Sequence, residues 1–519
     1  MLNALLENVS AKYPLRVALI FRDQSYTFAD LSRLTQSVAA SLWQRGINPG
    51  DRVAFLLRNS LEIVLAYYAC FKIGAIAVPL NIRFQAELLK YSLTHSGARV
   101  LISEPELFTR IEGIRASLPE VEQYYLTSGH STFVAVRPFA DLLKITLEQD
   151  LLPVLKENSG AAIYYTSGTT GLPKAVVHSH GSLTRATQIQ INQVEISSDD
   201  RTLIMFPICY LIGFGSQILP FHSCGAACVL LPEFEPRLVL EAIQTYRPTK
   251  TYGFPQLYNG LVSCPEAGQY NARSLEFCFS AGEAIPVAIQ ERFKRIFGLE
   301  ITEGCGMTEL QIYCMNPPYS EKKMGSIGKP IAGMEVHLID ESGGPILRTG
   351  EIGEMIVRGG SMTEGYWEDP ELTARNIREG WFHTGDLAYK DEENFYWFVS
   401  RKSEIIKHQT GLISPIEVEG ALYRHPAVRE AGVIGVPDPS GHELAQAYVV
   451  LWEGSDPVTE RQLIDLAGKY LPLYKVPRRI IFIENVPHGP TGKIDRKTLR
   501  LNAVEGRSCR SQELQDGER

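Results

Sequence analysis

The sequence predicts an α/β protein of more than one domain, and three observations predict it. Strand-like apolar runs alternate with helically spaced apolar residues through the first third of the chain. The chain has 519 residues, more than one domain of roughly 100–200 residues holds. Beyond residue 401 the apolar pattern restarts as a compact unit of about 115 residues, inside the ordinary domain range.

Taken in order, Phe28 to Gly46 carries Leu31, Leu34, Val38, Ala39 and Leu42 at helical spacing, begins near Asp30 and stops at Gly46. The turn Asn48-Pro49-Gly50-Asp51 leads into the apolar run Val53 to Leu57, which reads as a strand. Leu61 to Ile73 is again helical and passes through Gly74 into a second run, Ala75 to Leu80. Strand, helix and strand at this pitch imply parallel strands joined by crossover helices. Later, Gly350 to Gly360 and Phe395 to Ser400 read as strands. Ala431 to Pro437 and Ala447 to Leu451 are further apolar runs, and Leu463, Ile464 and Leu466 have helical spacing. The polar stretch Ala503 to Arg519 is expected to be a disordered tail.

Composition narrows the function. Lys and Arg number 51 against 59 Asp and Glu, a net charge of −8, which argues against gripping nucleic acid. Hydrophobic residues at 45% exclude general disorder. Met1 to Pro14 has neither a basic flank nor an apolar run of signal-peptide length. Val64 to Leu80 is broken by Lys72 and reads as buried core, so no transmembrane segment is expected. Nine cysteines are too few for a disulfide scaffold. Cys224 and Cys228 on one helical face beside His222 would start a metal site, but no second pair completes four ligands. Buried or incidental thiols in a reducing cytoplasm are the expectation.

The strongest local signal is Tyr165-Thr166-Ser167-Gly168-Thr169-Thr170-Gly171-Leu172-Pro173-Lys174. Its hydroxyls, backbone N–H groups and single lysine suit a loop that closes over phosphates. Pro173 stands where a Walker loop needs glycine. The loop follows the apolar Ala161 to Tyr164 and precedes Ala175 to Val177, so it sits at a strand end, where open α/β sheets bind ligands. Ser280-Ala281-Gly282-Glu283-Ala284 reads as a small-residue turn after the strand Phe277 to Phe279. Gly304-Cys305-Gly306-Met307-Thr308-Glu309 reads as a glycine-rich turn after the strand Leu299 to Thr302, and Thr308 and Glu309 offer oxygen ligands suited to Mg²⁺. His383-Thr384-Gly385-Asp386 places a carboxylate after a tight turn, where it would accept hydrogen bonds from ribose hydroxyls. Each alone is more simply a structural turn, because Gly and Asp are ordinary turn residues. Pro490-Thr491-Gly492-Lys493-Ile494 resembles a Walker ending without its hydroxyl, and a surface lysine is its plain alternative.

Together and in this order, with Arg401 between the last two, these motifs make the chain resemble the adenylate-forming enzymes: acyl-CoA synthetases, peptide-synthetase adenylation domains and firefly-type luciferases. The resemblance runs from Tyr26-Thr27-Phe28-Ala29-Asp30-Leu31 to Arg496. It implies a large N-terminal domain of layered sheets and helices over residues 1–400, which binds AMP and the acid. A hinge at 401–403, a small mobile α+β domain over 404–502 and the tail at 503–519 complete the expected organisation. It further implies that a carboxylic acid attacks the α-phosphate of ATP, that pyrophosphate leaves, and that a thiol then takes the acyl group.

By position, Thr166, Ser167, Gly168, Thr169, Thr170 and Lys174 would hold the β- and γ-phosphates. Gly282, Glu283 and Ala284, with Gly304, Cys305, Gly306 and Met307, would enclose the adenine; relatives usually have an aromatic where Cys305 stands. Thr308 would touch the α-phosphate, Glu309 would hold Mg²⁺, and Asp386 and Arg401 would fix the ribose. Lys493 would bridge the carboxylate and the α-phosphate, then swing away with the small domain. Ser403 takes the hinge position, commonly Asp or Lys. Thr410 stands where relatives usually have a glycine beside the pantetheine channel, with Gly411 next to it.

Pro207 to Phe214 resembles the segment lining the acid pocket and carries no charge, which disfavours α-amino acids, whose buried ammonium would lack a partner. Tyr210, Phe254, Leu310 and Ile312 would make that pocket apolar, for fatty or aryl acids. The expected acceptor is CoA. The alternatives are loading of the phosphopantetheine of an acyl or peptidyl carrier protein, and a catalytically silent nucleotide-binding relative.

Overall fold

Thr27 starts the first long helix with a capping box. Its hydroxyl accepts from the Asp30 N–H at 3.1 Å, and Asp30 accepts from the Thr27 N–H at 3.1 Å. The helix then runs Phe28–Gln44 and buries Leu31, Val38 and Leu42. Helix Leu61–Ile73 is capped by Ser60 and ends at Gly74 in the left-handed region (φ +72°). A Cβ at Gly74 would also come within 2.7 Å of Leu155. This helix is apolar on every side and buried on every side. Even Lys72 is enclosed, paired with Glu7.

The computed structural model describes residues 1–128, 133–145, 153–166, 172–489 and 493–505. Three sheets build the large N-terminal domain. One runs Lys329–Pro330, Gln311–Met315, Ile301–Met307, Phe277–Ser280, Lys250–Gly253, Arg201–Ile204, Ala227–Leu230, Val17–Phe21 and Gln24–Thr27. A second runs Gly365–Tyr366, Lys174–Ser179, Gly160–Thr166, Ile76–Pro79, Arg52–Leu56, Ala98–Ser103, Gln123–Leu126 and Arg137–Pro138. Their central strands are parallel, and Arg52–Leu56 and Ile76–Pro79 are joined by the predicted crossover helix. A main core spans these two sheets and the helices around them. The third sheet is antiparallel and contains Met334–Ile339, Gly353–Gly359, Trp381–Lys390, Ile377–Arg378 and Tyr396–Arg401.

The small C-terminal domain has cores of its own. The hairpin Ile406–His408 and Gly411–Ile413 lies beside a three-stranded sheet of Val428–Pro437, Glu443–Leu451 and Arg479–Phe482. Helices Pro415–Leu422, Glu460–Ala467 and Arg496–Glu505 cover it. The last helix reaches Glu505, so the start of the stretch expected as a tail is helical; residues 506–519 lie outside the described residues. Among the described residues no helix is long and apolar enough to cross a membrane.

The expectation of a shared helical face for Cys224 and Cys228 is corrected. Cys224 follows the short helix Leu219–Ser223, and Cys228 lies in a strand. His222 is already engaged, with the Tyr68 hydroxyl at 2.7 Å and the Ala18 carbonyl at 3.0 Å. No group of three potential metal ligands occurs among the described residues.

Candidate nucleotide and acid site

Strands Gly160–Thr166 and Lys174–Ser179 pair antiparallel, so the Ser-Thr-Gly loop is a hairpin connection with Thr166 directly opposite Lys174. Ser167, Gly168, Thr169 and Thr170 lie outside the described residues. Lys174 places its ammonium 5.7 Å from the ring centre of Tyr366. Tyr366 in turn donates to Glu309 Oε1 at 2.9 Å. Burial and the Glu309 carboxylate raise the Tyr366 phenol well above its ordinary value, so it stays a donor. Tyr366 thus connects the lysine of the phosphate loop with the carboxylate expected at Mg²⁺. Sequence reasoning missed it, because a tyrosine in a short strand carries no motif of its own.

Thr308, Glu309 and Leu310 form the turn between the antiparallel strands Ile301–Met307 and Gln311–Met315. All three carbonyls of that turn are held. His178 Nε2 donates to Thr308 at 2.7 Å, the Thr363 N–H donates to Glu309 at 2.7 Å, and the Ser361 hydroxyl donates to Leu310 at 2.7 Å. Burial lowers the His178 imidazole to about 4, so the ring is neutral. With its proton on Nε2, Nδ1 accepts from Ser182 at 3.2 Å. The glycine-rich stretch departs from expectation: Gly304, Cys305, Gly306 and Met307 are the end of the strand, not a turn. The glycines are required by the neighbouring strand, since a Cβ at Gly304 would lie 2.7 Å from the Cys314 carbonyl and one at Gly306 2.6 Å from that of Gln311.

Asp386 departs similarly. It stands within the continuous strand Trp381–Lys390, beside an irregularity opposite Met355 where Gly385 takes φ +70°. That bulge aims its carboxylate inward. Asp386 faces Arg401 as a cross-strand partner, and Arg401 Nε lies 2.7 Å from Asp386 Oδ1 as an ion pair. Oδ2 accepts from Tyr313 at 3.3 Å, and Cys305 Sγ lies 3.0 Å from the same hydroxyl. Oδ1, although 2.7 Å from a guanidinium nitrogen, receives no aligned hydrogen bond, and the residue is only 3% exposed. Burial raises the Asp386 carboxyl above its usual range, opposed by the charges of Arg401 and Lys493. Burial also pushes the Cys305 thiol up to about 12, so it remains protonated.

Lys493 comes from the small domain yet lies within electrostatic reach of both Asp386 and Cys305. Its loop is closed by the bridge between His488 and Ile494, and the Gly489 N–H donates to the Lys493 carbonyl at 2.8 Å. Pro490, Thr491 and Gly492 lie outside the described residues. The domains also touch where Asn259 Nδ2 donates to the Arg429 carbonyl at 3.2 Å. Gly282, Glu283 and Ala284 follow strand Phe277–Ser280, with Gly282 at φ +91° against Phe254. Glu283 accepts from Gln256 at 2.5 Å and feels the charges of His488 and Arg496 across the domain boundary.

Tyr210 and Phe254 meet edge-on, centroids 6.5 Å apart, with Phe206 packed on Phe254 at 5.2 Å. Leu310 and Ile312 are buried in the same core. Ser403 is exposed in the turn after Arg401, where the Glu404 N–H donates to the Arg401 carbonyl at 2.9 Å. Thr410 is exposed at the tip of the hairpin Ile406–His408 and Gly411–Ile413, its N–H donating to His408 Nδ1 at 3.1 Å. That hairpin packs on the strands Val428–Pro437 and Glu443–Leu451 of the small domain. The structure therefore gathers Thr308, Glu309, Lys174, Cys305, Asp386, Arg401 and Lys493 around one region and leaves Thr410 and Gly411 on the small domain's own surface.

The comparisons with known proteins agree with one another. A family described as AMP-binding enzyme matches residues 6–367, and one described as AMP-binding enzyme C-terminal domain matches residues 417–493. A long-chain-fatty-acid–CoA ligase of Bacillus subtilis (strain 168) is 32% identical, over 97% of this chain and 95% of that protein. A feruloyl-CoA synthase of Amycolatopsis sp is 34% identical, over 91% of this chain and 93% of its own length. The structure resembles the crystal structure of the anthranilate CoA ligase AuaEII in complex with anthranoyl-AMP, with a TM-score of 0.91, 31% identity and 97% of each chain covered.

Proposed function

The chain belongs to the family of AMP-binding enzymes, and from that premise we propose that it is an AMP-forming acid–thiol ligase acting on a fatty or aryl acid and CoA. A carboxylate oxygen of the acid attacks the α-phosphorus of ATP, the bond to the bridging oxygen breaks, and pyrophosphate leaves. The thiol of CoA then attacks the acyl carbon, the bond to the phosphate oxygen breaks, and AMP leaves with the thiol proton passing to solvent. Two anions must meet in the first step, so the enzyme's task is chiefly positioning and positive charge.

One observation carries the reading. The buried Asp386 with its ion-pair partner Arg401, and Lys493 of the small domain, converge on one spot. Asp386 Oδ1, buried and without a hydrogen-bond donor, suits a ribose hydroxyl. Arg401 orients that carboxylate and opposes the effect of its burial. Lys493 would neutralise the attacking carboxylate and the α-phosphate together. Thr166 and Lys174 would receive the outer phosphates, with Ser167, Gly168, Thr169 and Thr170 between them. Glu309, a single carboxylate steadied by Tyr366, fits Mg²⁺, which is commonly held by one or two carboxylates plus substrate phosphates. When bound, the ion offsets phosphate charge. Cys305 offers the adenine a small polarizable surface in place of an aromatic ring.

Tyr210 and Phe254 give the acid an apolar wall, in keeping with the fatty and ferulic acids named for the two relatives. Those names also favour CoA over a carrier protein as acceptor. Residues 1–400 and 404–502 are the proposed working domains, with 401–403 as the hinge. All eight described cysteines are free thiols, which suits a reducing cytoplasm. Mass spectrometry of products from ATP, Mg²⁺, CoA and a panel of fatty and aryl acids tests the function. Acyl-CoA is expected. Acyl-AMP beside untouched CoA would transfer the second step to a carrier protein, and absence of pyrophosphate release with every acid would leave a silent nucleotide binder.

A further inference from the structure

We propose that Gln311 is a specificity-determining residue that hydrogen-bonds a hydroxyl group on the acid, so that the enzyme prefers hydroxylated acids to their deoxy counterparts. The inference rests on the ligase reading above and narrows its substrate class.

Gln311 follows the Thr308-Glu309-Leu310 turn and is held at φ +59°, a region a side-chain-bearing residue adopts only when its surroundings impose it. The clamped carbonyls of the three preceding residues supply that constraint. The side chain is 5% exposed. Its Oε1 lies 3.4 Å from the Ser216 hydroxyl, while its Nε2 has no hydrogen-bond partner. A buried amide end without a partner carries the full cost of its lost hydration, so native proteins seldom keep one without use. Reversing the amide about its last torsion exchanges the ends and leaves a carbonyl oxygen orphaned instead. A hydroxyl both donates and accepts, so it satisfies either arrangement.

The orphan lies beside the segment that the resemblance expects to line the acid pocket. Ser216 belongs to the π-helical turn Phe214–Ile218, which follows directly on the short helix capped by Tyr210. Gly215 of the same turn borders the amide, for a Cβ there would lie 3.8 Å from Gln311 Oε1, in ordinary contact. Leu211 and Phe214 of that segment, and Leu310 and Ile312 on either side of Gln311 in sequence, are apolar and buried. An apolar wall with one polar group is how ligand pockets fix a substituent. A site built to hydrogen-bond a hydroxyl rejects the analogue lacking it strongly, by up to about 10⁴-fold.

The test measures acid-dependent pyrophosphate release by the full chain with matched pairs: 4-hydroxycinnamate and cinnamate, 3-hydroxybenzoate and benzoate, 8-hydroxyoctanoate and octanoate. The wild type is expected to favour the hydroxylated member of at least one pair by about 10-fold or more in kcat/KM. Gln311→Leu should bring that ratio near one, mainly by raising KM for the hydroxylated acid. Gln311→Gly, which relaxes the backbone, should do the same and guards against misfolding of the leucine variant. No preference in the wild type, or a preference that both variants retain, overturns the proposal while leaving the ligase reading intact. No release with any acid overturns the ligase reading itself.

Discussion

Lys493 is the residue on which the two half-reactions should separate. Its carbonyl is fixed by Gly489 and its loop by the bridge between His488 and Ile494, so truncating its side chain leaves the loop's closure in place. Lys493→Ala is expected to lower acid-dependent pyrophosphate release by about 10²-fold or more, the scale of losing a charge-stabilising group. Conversion of synthetic acyl-AMP to acyl-CoA should change by less than about 3-fold. Comparable losses in both assays would count against a lysine that serves one step only. Glu309, Asp386, Arg401 and Lys493 were legible because each sits in a short segment whose neighbours are unusual together. Tyr366, Tyr313 and His178 were not. Their roles arise from register: the pairing of Gly365–Tyr366 with Lys174–Ser179 brings Tyr366 to its place, and that of Ile301–Met307 with Gln311–Met315 sets Tyr313 beside Cys305. Isolated aromatic and histidine residues within strands announce none of this.

Among the elements, helix and strand positions followed from periodicity, whereas glycine misled at two strands. Gly304 and Gly306 read as turn residues, yet they are strand residues kept small by the carbonyls of Cys314 and Gln311. Gly385 permits a bulge inside a strand rather than ending one. Cross-strand packing is a non-local fact that local composition does not contain. The same strand begins with a consequence for pH. Glu303, in the strand Ile301–Met307, is buried, accepting from the Ile285 N–H at 3.2 Å and Gln290 at 3.1 Å, and burial pushes its carboxyl up to about 8. Between about pH 5 and 8 the folded state therefore holds a proton that the unfolded chain has lost. Stability from this group is present below the unfolded value and falls as pH rises through 8. The melting temperature of the wild type should drop more between pH 5.5 and 8.5 than that of Glu303→Gln, by about 3 °C; parallel curves would refute the assignment. At the hairpin tip, we propose that the Thr410 side chain narrows the thiol's path, so Thr410→Gly should lower KM for CoA by about 3-fold or more and leave ATP–pyrophosphate exchange unchanged. Unchanged CoA kinetics would remove Thr410 from the channel.

For the whole molecule, length and the late restart of the apolar pattern were enough to announce a second, smaller domain, because each domain must bury its own core. How the two domains meet was not legible. Asn259 with Arg429, and Glu283 facing His488 and Arg496, join residues far apart in sequence through surfaces without a motif. These contacts describe the arrangement in which Lys493 comes within electrostatic reach of Asp386. Locking it should therefore spare the first step. The double variant Asn259→Cys with Arg429→Cys, once oxidised, is expected to retain ATP–pyrophosphate exchange and to lose acyl-CoA formation by about 10-fold or more, with a reductant restoring it. Full thioester formation in the oxidised protein would show that the domains need not part.

The position of Arg401 beside that turn has a geometric consequence. A rotation moves each point by an arc proportional to its distance from the axis. With the proposed axis at Ser403, Arg401 and the Asp386 it pairs with would be almost stationary, while Lys493, which belongs to the turning body, would be carried away from them. On the proposed reading a ribose held by Asp386 and Arg401 would stay moored at the still point as the lysine departs, so the reactive anhydride would not be let go between the two steps.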